Sequence, residues 1–376
     1  MEGRHLEHLT TQTGRIAMLA QLLDLGYHRL IKEKLFEQSK DDAEIAHRKA
    51  MRSLKDLNRH PWLAKILRWR MCGDTHYTKK RIFGCMWDNP VGLAAGFDKN
   101  AEALWGLAAL GFGSLDIGAV LRFKQLGNKG VRMKRVPNSE DINNRMGFNS
   151  HGCRKVKNRL EHYGQLPFPV GINIGKNKWT PLLSAVDDYC HVLEELYELV
   201  DWFTINVSSP NTEGLRVLQE AGRLRQLLVA VIQLRNTLWL QTGLYRGIVA
   251  KPANDLPREQ FEAFVCVCKE VGVDGLIIGN TCMVQDDQGV SWGRSGPSLF
   301  PLVMEKVSLA RTVVGSSMSV VACGGINSSD RALAAMEVAG ADGVQLLSAL
   351  PHKGPGLPAR IVDSLRMRAT LSRIGS

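Results

Sequence analysis

The sequence predicts a (β/α)8 barrel over residues 77–376, preceded by a helical unit over residues 1–76, and three observations lead there. Near residue 77 the chain changes from helical periodicity to strand, turn, helix, repeated. Eight short apolar runs follow, at 91–95, 115–120, 170–174, 203–207, 247–250, 275–278, 320–322 and 344–347. Amphipathic stretches separate most of them, at 182–200, 217–238, 261–271, 299–314 and 332–339. Continuous apolar runs suit parallel strands buried on both faces, and eight of them with intervening helices close into a barrel. An open doubly wound sheet is the alternative, but no GxGxxG follows the first run.

Taken in order, the first 76 residues hold almost no strand-like alternation. Ile16, Leu19, Leu23, Tyr27, Leu30 and Ile31 keep one helical stripe; Ala46, Ala50, Leu54 and Leu57 keep a second behind the acidic start Asp41-Asp42. The segment from Pro61 to Arg70 mixes tryptophan, aliphatic and basic residues, as the headgroup layer of a bilayer favours. A soluble helical hairpin packed on the main domain accounts for the same pattern, so both readings stand. His47, in the second stripe, is by itself an ordinary structural histidine.

Composition narrows the function classes. The chain of 376 residues is 44% hydrophobic, enough for one large core plus an appendage. Its eight cysteines form no CxxC pair and no histidine-spaced cluster, which predicts free thiols, no disulfide framework and no metal site. A net charge of +11 admits nucleic acid, an anionic membrane surface or acidic small substrates. No apolar run approaches the roughly 20 residues of a membrane span. Neither a secretory h-region nor a clean transit peptide is seen, because Glu2, Glu7 and Asp24 interrupt the basic residues.

In such a barrel the chemistry sits at the C-terminal strand ends. Those ends carry Ala94-Ala95-Gly96 with Lys99, then Gly118-Ala119, Asn173, and Asn206 to Thr212. The later ones carry Lys251, Asn280-Thr281, Gly324-Gly325 and Ser348. Asparagines offer donors and acceptors to a planar polar ligand, and small residues at the last two ends leave backbone N–H groups to cradle a phosphate. Each signal is weak alone; five or six in register on one rim are not explained by packing.

Three motifs now carry a family resemblance: Gly92 to Lys99, Asn144-Arg145-Met146-Gly147-Phe148-Asn149, and Asn206-Val207-Ser208-Ser209-Pro210-Asn211-Thr212 with Gly214-Leu215-Arg216. Together with Ile172 to Lys178, they resemble dihydroorotate dehydrogenase over nearly the whole chain. The resemblance implies oxidation of dihydroorotate to orotate with FMN in pyrimidine synthesis. Serine in the Ser-Ser-Pro-Asn motif and the helical extension are similar to the membrane-associated class that reduces ubiquinone. It further implies Ser209 as the base at C5, with hydride passing from C6 to the flavin. Lys99, the segment Asn144 to Asn149, Asn206, Asn211, Asn280 and Thr281 would hold the substrate. Ala94, Ala95, Gly96, Gly118, Ala119, Asn173, Asn206, Lys251, Gly279, Gly296, Gly325, Leu347 and Ser348 would hold the cofactor. Gln38, His47 and Arg135 match the head of a quinone tunnel. No nucleic-acid partner is expected. The implied location is the mitochondrial inner membrane in a eukaryote, or the cytoplasmic face of the inner membrane in a bacterium.

Several residues depart from the family pattern. Ala119, Gly279 and Leu347 lack the hydroxyls usual there, Pro252 and Asn254 alter the stretch after Lys251, and Arg294 stands for a leucine. Weakened FMN binding is expected, with Arg294 placed to offset it by pairing with the phosphate. Ser208 is expected to tolerate substitution better than Ser209. The basic segment Arg122, Lys124, Lys129, Arg132, Lys134 and Arg135 is read either as a lipid contact or as a solvated loop. Two alternatives to the leading reading remain: another FMN barrel acting on a pyrimidine, and a flavin-less scaffold on a membrane. Bound flavin in the visible spectrum separates the first two from the last.

Overall fold

Eight parallel strands close into a barrel in the computed structural model, which describes residues 18–40, 42–73, 75, 78–209 and 214–374. They are β1 (Val91–Leu93), β2 (Ser114–Val120), β3 (Val170–Ile174) and β4 (Trp202–Asn206), then β5 (Gly247–Lys251), β6 (Gly275–Ile278), β7 (Ser319–Cys323) and β8 (Gly343–Leu346). Each pairs with the next in the chain, and β8 returns to β1. Helices such as Ala221–Thr242, Arg258–Val271 and Phe300–Val314 sheathe the outside, so the strand residues are buried on both faces. The expected helix over 332–339 is an α turn, Ser329–Leu333, followed by a π turn, Ala334–Val338.

Two features carry no signal of their own in the sequence. A hairpin, Lys80–Ile82 with Cys85–Trp87, plugs the N-terminal mouth, where Ile82, Phe83 and Trp87 pack with Trp202, Val249, Ile277 and Val321. At the opposite mouth lies a four-stranded antiparallel flap, made of Met133–Arg135, Ile142–Asn144, Cys282–Gln285 and Ser291–Ser295. Its strands leave the barrel after β2 and β6, which delivers them to the rim that carries the polar residues.

The N-terminal helices lie against the barrel. Residues 18–37 are helical with a π-helical turn at Tyr27–Lys32; α1 (Ala43–Asn58) and α2 (Pro61–Cys72) follow. Asp42 caps α1 by accepting a hydrogen bond from Glu44 N at 2.9 Å. The second stripe packs inward so closely that a Cβ on Gly106 would sit 2.2 Å from the Leu54 carbonyl oxygen. Arg68 of α2 donates to the Phe112 and Ala108 carbonyls at 2.6 and 3.2 Å and pairs with Asp88 at 2.6 Å.

The first stripe is divided. Leu23, Leu30 and Ile31 point to solvent beside Met18, Leu22 and Leu25, and Leu30 is 71% exposed. Leu19 packs with the buried Ala20 against Met71 and Ala359, and Asp24 and Tyr27 complete the docked side. Asp24 accepts from Gly356 N at 2.7 Å and pairs with Arg360, while the Tyr27 hydroxyl donates to Pro351 O at 2.8 Å. On α2, Trp62, Ile66 and Trp69 are exposed at i, i+4 and i+7, one face of a helix. Ile16 and Asp41 lie outside the described residues. Among the described residues no helix is long and apolar enough to cross a membrane.

The basic segment is largely partnered. Arg132 Nε donates to Glu44 at 2.9 Å, Arg122 lies 3.8 Å from Asp188, and Lys134 Nζ sits 5.1 Å from the Trp292 ring centre. Arg122, Arg132 and Arg135 are thereby engaged with the protein, while Lys124, Lys129 and Lys134 remain exposed.

Candidate active site

The C-terminal ends of the strands converge on one cavity. Its wall takes Ala94, Ala95, Gly96 and Lys99 from beyond β1, Gly118 and Ala119 from β2, and Asn173 from β3. Asn206 and Ser209 come from β4, Lys251 from β5, Asn280 and Thr281 from beyond β6, and Gly325, Leu347 and Ser348 from the last two strands. Asn144 reaches it from the flap, and Met146, Gly147, Phe148 and Asn149 from the segment that follows. Ser209 is buried against this wall while its chain neighbour Ser208 is not part of it.

Three residues expected at the site do not line it, and Asn211 lies outside the described residues. The Arg145 guanidinium sits 5.4 Å from the Trp292 ring centre and donates to the Lys129 carbonyl, so it braces the flap. Gly296 backs onto Asp141, whose carboxylate would be 2.3 Å from an added Cβ. Gly279 has φ +119, and a Cβ there would stand 1.8 Å from the Cys323 carbonyl oxygen. That close approach of two strand ends, not a missing flavin contact, is why glycine occupies the position. Gly279→Thr is therefore expected to destabilise the fold by about 2–4 kcal/mol, from overpacking and backbone strain; a chemical-denaturation midpoint equal to that of the parent protein would refute this.

Arg294 is likewise absent from the wall. Its Nε donates to Asn143 Oδ1 at 3.1 Å across the paired flap strands, so the expected compensation at the phosphate has no support here. Lys176 and Asn177, within the stretch Ile172 to Lys178, are structural. Lys176 Nζ donates to the Thr180 and Asn177 carbonyls, and Asn177 ties the segment to Phe123.

Ser208 is engaged in a way its sequence position does not announce. Its hydroxyl donates to Asn206 Oδ1 at 3.0 Å and accepts from Asn280 Nδ2 at 2.6 Å, so it links two wall residues. Substitution at Ser208 reaches the site through them.

Electrostatics mark the two lysines differently. Lys99 Nζ donates to Asn149 Oδ1 at 2.7 Å, and burial pulls its pKa down to about 7, only partly offset by Glu44. Lys251 faces the barrel interior, where Asp116 lies fully buried among Thr204 and Gln345; burial pushes that carboxyl up to about 7 against the pull of Lys251. Asp116 carries no rim signal in the sequence, because it sits mid-strand in an apolar run. Met133, Ile142, Ser295, Leu299, Cys323, Ile326 and Gln345 also line the cavity unannounced. Apolar wall residues look like core in a sequence.

The expected quinone trio lies where the N-terminal helices meet the barrel and flap, with Arg135 held beside Gln38 through Phe36 and Ser39. His47 Nε2 donates to the Phe97 carbonyl at 2.7 Å, and burial, reinforced by the Lys99 charge, lowers its pKa to about 4, so it is neutral. Arg135 donates to the Ser39 and Phe36 carbonyls at 2.6 and 3.0 Å, which ties off the end of helix Glu33–Glu37. Gln38 is exposed and its amide oxygen accepts from Lys49. None of the three lines the cavity described above.

The wall fits a planar, acceptor-rich ring carrying a phosphate. Asn173 Nδ2 is buried at the cavity and has no partner, Lys251 adds a cation, and the Gly324-Gly325 backbone turns at φ +140 and +73 without side chains in the way.

Comparison with known proteins agrees in extent. Residues 77–368 match the family model described as dihydroorotate dehydrogenase. A protein of Chloroflexus aurantiacus named dihydroorotate dehydrogenase (quinone) is 37% identical over 347 residues, 90% of this chain and 95% of that one. Its namesake in Deinococcus deserti is 39% identical over 342 residues, 89% and 93% of the two chains. Among solved structures, DHODH of Eimeria tenella in complex with ferulenol aligns with a TM-score of 0.78 at 30% identity, covering 92% of this chain and 96% of that one.

Proposed function

The chain belongs to the dihydroorotate dehydrogenase family, as a quinone-dependent oxidoreductase of pyrimidine synthesis, and from that premise we propose which of its residues do what. Asn173, Lys251, Ala95 and Gly96 hold the ring of FMN, and Gly325 and Ser348 hold its phosphate. When bound, FMN accepts hydride from dihydroorotate and passes the electrons to ubiquinone. Lys99 pairs with the substrate carboxylate, while Asn144, Asn206, Asn280 and Thr281 engage its ring amides. Ser209 takes the proton from C5. A serine hydroxyl is a poor base near neutral pH, so this step needs a proton relay and a site that excludes water. Burial of Ser209 supplies the exclusion. Lysine and amide donors favour the charge that develops on the substrate carbonyl as the proton leaves.

One observation carries this reading: lysines, asparagines, threonine and serines from separate segments along the whole barrel and from the flap meet around a single cavity at the rim where barrels do chemistry. The purified protein should show a flavin spectrum in the visible that bleaches when dihydroorotate is added without an acceptor. A colourless protein that takes up no FMN would leave the scaffold reading. No observation favours the alternatives.

The Lys99 pKa gives a pH dependence. Only the ammonium form pairs with a carboxylate, so the dissociation constant for orotate should be flat below pH 7 and rise as pH increases through about 7. Orotate titrations across that range check it; a profile that Lys99→Met leaves unchanged assigns the limb to another group.

We propose further that residues 1–76 form the membrane and quinone unit and 77–376 the catalytic unit. The exposed row Leu22, Leu25, Leu30, Ile31 with Trp62, Ile66 and Trp69 supports attachment to a membrane surface without a span. The sequence relatives named above are bacterial and lend no support to a mitochondrial location.

A further inference from the structure

A directed chain of hydrogen bonds crosses the rim from β6 to β3. Thr281 N donates to Asn280 Oδ1 at 2.8 Å, and Asn280 Nδ2 donates to Ser208 Oγ at 2.6 Å. The Ser208 hydroxyl donates to Asn206 Oδ1 at 3.0 Å, and Asn206 Nδ2 donates to Asn173 Oδ1 at 2.9 Å. The chain ends on Asn173 Nδ2, 1% exposed as a residue, at the cavity and without a partner.

Amide oxygens and nitrogens are easily interchanged in an assignment, but here backbone donors fix them. Ser208 N donates to Asn206 Oδ1 at 3.1 Å, and Thr281 N can only donate. With both asparagines fixed, the hydroxyl between them has one acceptor to serve and one donor to receive. Every link then points the same way. Ser208 is wholly buried, so no solvent can substitute for either bond.

We infer that Ser208 is a positioning residue: its hydroxyl couples the two rim asparagines that the backbone donors orient, and so holds Asn206 where Asn173 presents a donor, not an acceptor, to an electron-rich atom of the bound ring. This rests on the reading that the cavity holds FMN. Ser208 itself touches neither ring nor substrate. Its effect travels through Asn206 and arrives at Asn173, and hydrogen bonds in such a dry chain polarise one another.

A double-mutant cycle on the FMN dissociation constant, read from the fluorescence of flavin released on dilution, tests it. Ser208→Ala should weaken FMN binding roughly 3- to 10-fold, the worth of one hydrogen bond. In an Asn173→Ala background the same substitution should change it by less than about twofold, because the last link is gone. Equal weakening in both backgrounds, or none in either, overturns the inference. If Ser208→Ala does not fold, Asn280→Asp carries the test. The carboxylate still accepts from Thr281 N but cannot donate to Ser208, so FMN should again loosen, and unchanged affinity refutes the chain. Wild-type protein that binds no FMN at all would remove the underlying reading instead, which the same fluorescence shows before any variant is made.

Discussion

Replacing Ser209 by alanine is expected to lower turnover of dihydroorotate about 10²–10⁴-fold, the usual worth of a positioned proton acceptor, with orotate affinity nearly intact. The separation of the two effects follows from the geometry. Lys99, Asn144 and Asn280, which grip the ligand, come from other segments and stay in place, while the hydroxyl that removes the proton is lost. Stopped-flow reduction of the flavin reads the proton step directly. Near-normal reduction in the alanine variant would falsify the assignment. Ser208→Ala offers the contrast: it should loosen ligands through Asn206 and Asn280 without matching that loss of rate.

Deleting the N-terminal unit should abolish reduction of a long-chain quinone, but the boundary of the cut decides whether the result means anything. The cut expected from composition falls near residue 76. It removes Met51 and Ala64, which belong to the main core, and Arg68, which satisfies three partners in the barrel. Each large apolar side chain lost from such a core costs about 1.5–3 kcal/mol, and the orphaned Asp88 and carbonyls add to it. That protein is expected to aggregate. A cut after residue 40 instead removes the helix whose apolar face is already in solvent. The shorter deletion should keep dihydroorotate oxidation with a water-soluble acceptor and lose most activity with a quinone held in vesicles. Undiminished activity with the vesicle-borne quinone would show that residues 1–40 do not serve its delivery.

How much of this was readable from the chain depends on how local the determinant is. The eight barrel strands announce themselves because a strand buried on both faces needs an apolar residue at nearly every position, as Val170–Ile174 and Gly275–Ile278 show. The flap strands do not. Met133-Lys134-Arg135 is short, half-exposed and basic, and becomes a strand only because Ile142–Asn144 pairs with it from across a turn. The rim asparagines were legible as polar residues at strand ends. The contacts of Ser208 are not legible, because one of them is to Asn280, far away in sequence. Arg294 shows the opposite limit: a residue type suited to a phosphate reads as a ligand in the sequence, and in the structure it is engaged by Asn143 across the flap. For the first helix the apolar stripe was visible but its direction was not. Periodicity says that a face exists, not whether protein or lipid covers it.

The contact between Gly279 and the Cys323 carbonyl also limits what can be grafted onto this rim. The two strand ends stand so close that no side chain fits between them. The threonine of the family pattern therefore cannot be restored here by one substitution without moving backbone. A hydroxyl transplanted singly to this position will read as harmful for want of room, not for want of chemistry.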